Sequence, residues 1–323
     1  MAQRGTGSGS VDGYRLEWLT SFLAVVDYGG FAAAAEGSFR SQPRISAHVG
    51  ELEGHLGAEL FDRRERPVRL TDAGIAFLEH ARAVVRSLEM GSASVQAVLG
   101  VLRGTVRLGW YPSAGASFGP TVLREFHERY PQIAVTIIEG STEMLAESLR
   151  TGDADLVLRP MLPTIKELSV RSHALWEEPL VAVVPEGHPI AANEYVSIVE
   201  VASHPIITIS GRGHDADSSS EAYRAFRAAR VTPTVAYHTD QPQTLVGLAR
   251  AGLGVGLTNL LAASVSEHGG TRIVPIQESG NRRIVSVFWN SAHALQPATR
   301  ALLDLIVQLP VPDAVRRFQR GGA

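Results

Sequence analysis

The segment that begins at Ser41 carries side chains suited to reading the edges of DNA bases. Ser41 suits the N-cap of a helix, and Pro43 falls in its first turn, where a missing N–H costs nothing. Ile45, Val49 and Leu52 recur at helical spacing and define a buried face. The side chains on the other face are small or polar, and they belong to Gln42, Pro43, Ser46 and Ala47. A helix of this kind fits the major groove, where each base pair presents a distinct pattern of donors and acceptors.

Each residue type on that face predicts a particular contact. Gln42 can hydrogen-bond an adenine edge, Pro43 can pack on a thymine methyl group, and Ser41 or Ser46 can reach a phosphate or a base. The charged segment 62–71, with alternating apolar residues at its end, predicts a two-stranded ribbon. Three of its four arginines suit the phosphate backbone or the minor groove, and they are Arg63, Arg64 and Arg66. The alternative is a well-capped surface helix beside a solvated turn.

Three further helices surround the Ser41 helix in the first third of the chain. Apolar residues at helical spacing predict a helix from Leu16 that ends at Gly29-Gly30, and the Ala-rich segment 31–36 predicts a short second helix. The Ser41 helix runs to about residue 56. A long helix starts at Thr71-Asp72 and ends near Gly91, or continues to Leu99. Its length is sufficient to connect two domains and to pair with a second copy.

Beyond Gly104 the pattern changes to alternating strands and helices. Short apolar runs predict strands at 106–108, 134–138, 156–158, 180–184, 206–209, 235–237, 255–257 and 284–289. Helical spacing predicts helices around 123–130, 145–149, 223–229, 244–251 and 298–309. This order predicts an α/β region with a mainly parallel sheet, arranged as two similar lobes.

Composition excludes several classes of function. The chain has 323 residues, 45% of them hydrophobic, which predicts about two domains. The net charge of -3 means that any basic surface is local. The absence of cysteine excludes disulfides, thiolate metal sites, cysteine nucleophiles and thiol redox switches. We find neither a signal peptide nor an apolar run of about 18 residues, so we expect a cytoplasmic protein with no membrane partner.

The order of elements and several motifs together resemble the LysR-type transcriptional regulators from Leu16 to Leu309. The strongest matching segments are Phe22-Leu23-Ala24-Val25-Val26, Phe31-Ala32-Ala33-Ala34-Ala35, Ser41-Gln42-Pro43-Arg44-Ile45-Ser46, Leu60-Phe61-Asp62-Arg63 and Leu70-Thr71-Asp72-Ala73-Gly74. Weaker matches follow in the second half, among them Gly152-Asp153-Ala154-Asp155 and Gly252-Leu253-Gly254-Val255-Gly256. The resemblance identifies no ligand.

The resemblance implies an α+β winged helix-turn-helix N-terminal domain, a long linker helix, and a two-lobed α/β effector domain that is similar to periplasmic binding proteins. We divide the chain accordingly into a flexible tail (1–13), the DNA-binding domain (14–73), the linker and dimerisation helix (74–101), the effector domain (102–312) and a second tail (313–323). The chain crosses between lobes near Glu178 and again near Arg272. The first lobe then comprises 102–178 and 272–312, and the second comprises 179–271.

The resemblance also implies partners. We expect a bacterial regulator that binds double-stranded DNA at an interrupted inverted repeat, at promoters in the nucleoid. A small-molecule effector changes that binding. The linker helix forms a homodimer, and two dimers form a homotetramer. The resemblance implies neither an enzyme nor a catalytic residue, a metal or a cofactor.

This chain departs from the family pattern at three places in the DNA-binding domain. Ala32 stands where a Ser or Thr usually caps the second helix, and loss of such a cap costs about 1 kcal/mol. Gly37-Ser38 replaces a usual Leu, so we expect Phe39 to supply the missing core contact. Ala47 stands where Arg is frequent, so Arg44 and His48 are candidates for its phosphate or base contact.

Candidate effector-binding residues lie at the ends of strands that face the cleft between the lobes. Hydroxyl groups and helix N-termini at such places suit a carboxylate or a similar anion, and an arginine adds a full positive charge. The candidates are Ser113, Ser141, Thr142, Arg159, Ser210, Thr239, Gln241 and Thr258. Ordinary capping and turn roles are the alternative for each of them, and Arg159 can also pair with an acid.

Three other readings compete with regulation. The first is a nucleotide-binding loop at Gly252-x-Gly254-x-Gly256. This run follows a helix and enters a strand, which is the reverse of the order in dinucleotide-binding loops. A loop with His214, Asp215 and Asp217 has metal-ligating residue types, but a polar Gly-rich loop explains it as well. A solute-binding or enzymatic α/β protein with a vestigial DNA module is the alternative from another class. Salt-dependent, sequence-selective DNA binding distinguishes it from a regulator.

Overall fold

The structure is a computed structural model, and it describes residues 13–64, 67–98, 102–209, 221–278, 282–292 and 294–321. The chain divides into two compact units, unit 1 (Met1–Val95) and unit 2 (Gln96–Ala323). Each unit has its own hydrophobic core.

Unit 1 contains the predicted helices and ribbon. They are α1 (Leu16–Asp27), α2 (Phe31–Gly37), α3 (Gln42–Leu56), β1 (Phe61–Asp62), β2 (Arg69–Leu70) and α4 (Asp72–Val98), the last of which continues into unit 2. Phe22, Ile45, Val49 and Leu52 are fully buried in its core, as their helical spacing predicted. Gly57 ends α3 in the left-handed conformation that glycine adopts without strain. The helix-turn-helix and the ribbon are therefore confirmed, and α4 reaches the longer of its two predicted limits.

Two expectations for unit 1 are wrong. Phe39 is 97% exposed and supplies no core contact, because its positive φ of 53° turns the side chain outwards between α2 and α3. The space near the end of α2 is occupied instead by Tyr28, whose ring lies against Gly37 and whose hydroxyl donates to the Gly37 carbonyl oxygen at 3.2 Å. Ala32 lies inside α2, and Gly30 stands at the N-cap, so no cap is lost at Ala32.

Unit 2 alternates strands and helices. The strands are β3 (Gly104–Trp110), β4 (Ile133–Glu139), β5 (Leu156–Pro160), β6 (Val170–Pro185), β7 (Pro205–Ile209), β8 (Thr234–Thr239), β9 (Val255–Asn259), β10 (Thr271–Pro275) and β11 (Arg282–Asn290). The helices are α5 (Pro112–Ser117), α6 (Gly119–Arg129), α7 (Thr142–Thr151), α8 (Ile198–Ala202), α9 (Glu221–Ala229), α10 (Pro242–Arg250), α11 (Leu260–Ser264), α12 (Pro297–Gln308) and α13 (Asp313–Gly321). A 3₁₀ turn covers Pro189–Ala192.

One long strand, β6, runs through both lobes of unit 2. Over the described residues the strand order is β4-β3-β5-β11-β6-β9-β7-β8, with β10 also paired to β6. The first half of β6 pairs with β11 as far as Pro179, and the second half pairs with β9 from Leu180 onwards. The pairs β3–β4, β3–β5, β7–β8 and β7–β9 are parallel, whereas β6, β10 and β11 pair antiparallel. The sheet is therefore mixed and not mainly parallel.

The structure corrects two boundaries that the sequence predicted, the return crossing between the lobes and the start of the C-terminal tail. β10 pairs with the second-lobe half of β6, so the return crossing follows Pro275 and does not lie near Arg272. Residues 313–321 were expected to be part of a tail, but they form α13. The helix α13 is held in place because Val315 is fully buried in the core of the first lobe. Near the proposed first crossing, the pairing partner of β6 changes from β11 at Pro179 to β9 at Leu180.

Neither a membrane span nor a metal cluster emerges from the part of the chain that the structure describes. No single helix there is long and apolar enough to cross a membrane; α1 and α2, bent by 110°, meet the criteria together by length and composition alone. No group of three or more His, Cys, Asp or Glu side chains there is arranged to hold a metal ion. The loop with His214, Asp215 and Asp217 lies outside the described residues.

Candidate functional sites

The N-terminal part of α3 presents the predicted base-reading residues to solvent. Its opposite face is buried through Ile45 and Val49. Ser41 stands at the N-cap, but its side chain makes no capping hydrogen bond in the described structure. Ser46 is half-buried, and the exposed residues of this surface are Ser41, Gln42, Pro43, Arg44 and Ala47. The Arg44 side chain has no hydrogen-bond or ion-pair partner among the described residues, so its guanidinium is available to a phosphate.

His48 differs from the other candidates because the protein itself holds its ring. The Nδ1 atom lies 2.8 Å from the Oγ of Ser21, which is fully buried in α1. The Nη1 atom of Arg40 donates to the same Ser21 Oγ and to Thr20 Oγ1, each at 3.3 Å. If Ser21 donates to His48, the ring proton lies on Nε2. His48 therefore joins α3 to α1 through one nitrogen, and only the other nitrogen remains for DNA.

The ribbon β1–β2 is attached to α3 through Glu53. This carboxylate accepts the backbone N–H groups of Leu60 at 2.8 Å and Phe61 at 3.3 Å, and it pairs with the guanidinium of Arg63 at 2.9 Å. The Arg63 guanidinium also lies 5.2 Å from the centre of the Phe31 ring. Because the Arg63 side chain already contacts Glu53 and Phe31, it positions the ribbon and is also a candidate for DNA contact.

Arg64, the next arginine along the ribbon, is less constrained than Arg63. Arg64 is exposed, and its side chain has no partner in the described ranges. Arg66 lies outside the described residues. At the end of the ribbon, the Thr71 hydroxyl accepts the Gly74 N–H at 3.0 Å and caps α4. A side chain at Gly74 would meet the Leu60 carbonyl oxygen, so glycine is required where α4 packs against the ribbon.

In unit 2, the effector candidates lie at the ends of two groups of parallel strands. The two groups are joined where β6 passes from the first lobe to the second. The parallel strands β3, β4 and β5 end at one edge, with Ser113, Ser141, Thr142 and Arg159 at or just after those ends. The parallel strands β7, β8 and β9 end at the other edge, with Thr239, Gln241 and Thr258. The register of β6, with Pro179 opposite Arg282 and Leu180 opposite Asn259, joins the two edges.

Several of these side chains already have structural roles. The Ser141 hydroxyl caps α7 by accepting the Met144 N–H at 3.2 Å, and the Thr239 hydroxyl accepts the Gln241 N–H at 3.2 Å. Ser113 and Thr258 are buried, whereas Gln241 is exposed at the N-cap of α10. Ser210 lies outside the described residues. A helix cap thus accounts for part of the sequence pattern at Ser141, and a turn hydrogen bond does so at Thr239.

Sequence reasoning missed a buried ionic cluster at the crossing. The Glu178 carboxylate is 0% exposed; its Oε1 accepts Arg283 Nη2 at 2.7 Å and Nε at 2.9 Å, and the Tyr111 hydroxyl at 3.3 Å. Its Oε2 accepts the Leu261 N–H at 2.8 Å. Burial and the neighbouring carboxylate raise the pKa of Tyr111. For Arg283, burial alone would lower the pKa, but Glu178 raises it overall. The available sequence signal was the acidic pair Glu177-Glu178, which directly precedes Pro179 and the apolar run from Leu180.

Comparison with known proteins connects both halves of the chain to one family. Residues 16–75 match the family described as bacterial regulatory helix-turn-helix protein, lysR family, and residues 99–310 match the LysR substrate binding domain. The uncharacterized regulator YnfL of Escherichia coli is 30% identical over 88% of this chain and 95% of its own length. The regulator ShiR of Corynebacterium glutamicum is 27% identical over 92% and 99%.

Solved structures share the fold along nearly the whole chain. A full-length OxyR variant from Pseudomonas aeruginosa has a TM-score of 0.77 at 24% identity, covering 94% of this chain and 97% of that chain. Full-length CbnR in complex with its target DNA has a TM-score of 0.64 at 21% identity, covering 94% and 99%.

Proposed function

Because the chain belongs to the LysR family of transcriptional regulators, which are not enzymes, we propose that the exposed start of α3 and the β1–β2 ribbon bind double-stranded DNA and that a small molecule in the unit 2 cleft changes this binding. The family assignment gives the chain a helix-turn-helix DNA-binding domain and an effector-binding domain. The division into 14–73, 74–101 and an effector domain from 102 is part of this proposal, as is action at an interrupted inverted repeat in the nucleoid.

The observation that carries the DNA assignment is the separation of α3 into a buried face and an exposed N-terminal surface. Gln42 is exposed and has a side-chain amide that matches an adenine edge, which makes it the proposed base-reading residue. Arg44 and Arg64 are exposed cations that suit phosphates, and Arg63 positions the ribbon through Glu53. Base reading therefore belongs to the helix, and affinity depends largely on the arginines.

This division of roles predicts different effects for two substitutions. Gln42→Ala lowers the ratio of affinities for target and random DNA by about 5- to 160-fold, because one base contact contributes about 1–3 kcal/mol of discrimination. Arg64→Ala weakens both affinities about equally and reduces the dependence of log K on log salt by about one unit, because one phosphate contact is lost. Fluorescence anisotropy titrations at two salt concentrations measure both effects.

Arg250→Ala serves as the control, because it removes one exposed positive charge from α10 of unit 2. It leaves both affinities unchanged. Equal losses for Gln42→Ala and Arg64→Ala on target and random DNA would contradict the proposed division of roles.

The proposed dimer rests on apolar residues that α4 leaves exposed. Val84, Leu88 and Val95 lie at helical spacing, and each is about half exposed or more. Pairing of two such helices removes this surface from water. Two dimers then form the proposed homotetramer, and light scattering of the purified protein reports the mass directly; a monomer would contradict the pairing of α4.

The proposed effector site is the pair of strand edges that meet at the β6 crossing. The first lobe contributes Ser113, Ser141, Thr142 and Arg159, and the second contributes Thr239, Gln241 and Thr258. A ligand held by both edges binds the open and closed arrangements of the lobes unequally, which is the requirement for shifting a regulator between two states. The hydroxyl groups and the single arginine suit an anionic ligand.

A further inference from the structure

Arg159 is a fully buried cation without an acidic partner. It is the second-last residue of β5, and its side chain is 0% exposed. The Nη2 atom donates to the Pro163 carbonyl oxygen at 2.6 Å. The Nε and Nη1 atoms have no hydrogen-bond partner, and no carboxylate of the described residues forms an ion pair with the guanidinium. Arginines at such depth are normally paired.

A second unpartnered polar group lies directly opposite Arg159. Ser286 on β11 is its register partner in the antiparallel pair β5–β11, so both side chains lie on the same face of the sheet. Ser286 is 0% exposed, and its Oγ also has no partner. Phe288, two residues further along β11, has its ring centre 5.3 Å from the Arg159 guanidinium. The adjacent strands β5 and β11 thus place the unpartnered N–H and O–H groups of Arg159 and Ser286 beside the ring of Phe288.

A bound anion explains these donors better than protein packing does. A water molecule can accept the N–H and O–H groups, but it cannot compensate the charge, and burying an uncompensated charge is costly. Burial lowers the pKa of Arg159 to about 10, so the guanidinium stays charged at neutral pH. Glu143 in the first turn of α7 is the acid that acts on Arg159 electrostatically, but it is exposed and makes no ion pair with it.

We propose that Arg159 and Ser286 bind the carboxylate of an organic acid, which makes the effector of the proposed regulatory function a carboxylate-bearing molecule. The planar guanidinium matches a carboxylate in geometry and charge, and the Ser286 hydroxyl supplies a further donor. The site lies at the strand edge that carries Ser113 and Thr142, so the rest of the ligand extends into the cleft. Entry requires movement of the loop after β5, because its Pro163 carbonyl holds Arg159. This inference rests on the proposed effector function.

The test measures the thermal unfolding midpoint of the full-length protein with formate, acetate or benzoate. Each acid is compared with its neutral amide and with sodium chloride at equal ionic strength. At about five times its dissociation constant, a binding carboxylate raises the midpoint of a unit of this size by roughly 2–4 °C, and the matching amide does not. Arg159→Met abolishes the increase, and Ser286→Ala weakens the apparent affinity about 5- to 30-fold.

Two further variants separate binding from structure. Arg250→Met removes an exposed charge elsewhere in unit 2 and retains the full response. Arg159→Lys keeps the positive charge without the planar fork and responds only weakly, and it remains informative if Arg159→Met does not fold. Without ligand, Arg159→Met unfolds at the wild-type temperature or above it, because it removes an uncompensated buried charge.

Equal midpoint increases with acid and amide, no increase with any of the three acids, or an undiminished response in Arg159→Met would overturn the carboxylate assignment. Failure of this assignment differs from failure of the proposed function. A neutral compound that shifts DNA affinity, with no effect of any carboxylate, refutes the inference and leaves ligand-controlled regulation in place. Absence of sequence-selective DNA binding by the wild-type protein refutes the proposed function instead.

Discussion

Replacement of Glu178 by Gln tests the buried cluster that joins the two lobes. The substitution preserves the size of the side chain and removes its charge. At present Oε1 accepts two N–H groups of Arg283 and the Tyr111 hydroxyl, and Oε2 accepts the Leu261 N–H. An amide has only one oxygen, so its NH₂ group faces either the Arg283 or the Leu261 donor. Arg283 then remains almost buried without the carboxylate that pairs with it directly.

The magnitude follows from the burial of the pair. Removing one partner of a buried ion pair costs about 3–5 kcal/mol, because the other charge stays desolvated. For a unit of about this size each kcal/mol shifts the unfolding midpoint by roughly 2–4 °C, so Glu178→Gln lowers the midpoint of unit 2 by roughly 6–20 °C. Thermal or denaturant unfolding followed by circular dichroism measures the loss.

The chain offers a matched control. Glu147 and Arg150 form an ion pair at 2.5 Å on the surface of α7, where both side chains are about half exposed. Glu147→Gln therefore costs no more than about 0.5 kcal/mol. The double variant Glu178→Gln/Arg283→Met recovers part of the loss, because no unpaired charge remains. If Glu178→Gln is as stable as Glu147→Gln, then Glu178 does not compensate Arg283 in the folded protein.

Two further predictions concern the turn of the DNA-binding domain and the cleft. Phe39→Asn stabilises the protein by about 0.5–1 kcal/mol in denaturant unfolding, because asparagine tolerates the positive φ and the exposed ring loses no packing; a loss of stability would contradict this account of the turn. Ser113→Ala/Ser141→Ala raises the concentration of an effective carboxylate needed to alter DNA binding without reducing DNA affinity itself. An unchanged ligand titration would remove both serines from the site.

Much of the fold follows from apolar spacing, but two elements depend on contacts that the sequence does not display. The second half of β6 is a continuous apolar run and was predicted, whereas its first half contains exposed Arg171, Ser172 and His173 and becomes a strand by pairing with β11. The helix α13 contains few apolar residues, and it is ordered through the burial of Val315 against the core of unit 2.

The candidate sites were also only partly predictable from the sequence. The exposed start of α3 was predictable, because a buried face at helical spacing determines which side remains outside. Burial of single polar residues was not predictable. Ser286 and Arg159 are distant in sequence, and only the β5–β11 register places them opposite each other. The exposure of Phe39 likewise depends on a left-handed backbone that apolar character alone does not indicate.

The central claim is sequence-selective DNA binding, and one titration tests it most directly. Fluorescence anisotropy of the purified protein is measured with the intergenic DNA beside its own gene, with random DNA as competitor and at two salt concentrations. A regulator binds the intergenic DNA tightly and resists the competitor, and its affinity falls at the higher salt concentration as phosphate contacts weaken. Weak and equal binding to both DNAs at both salt concentrations would contradict the claim and favour a ligand-binding protein with a vestigial DNA module.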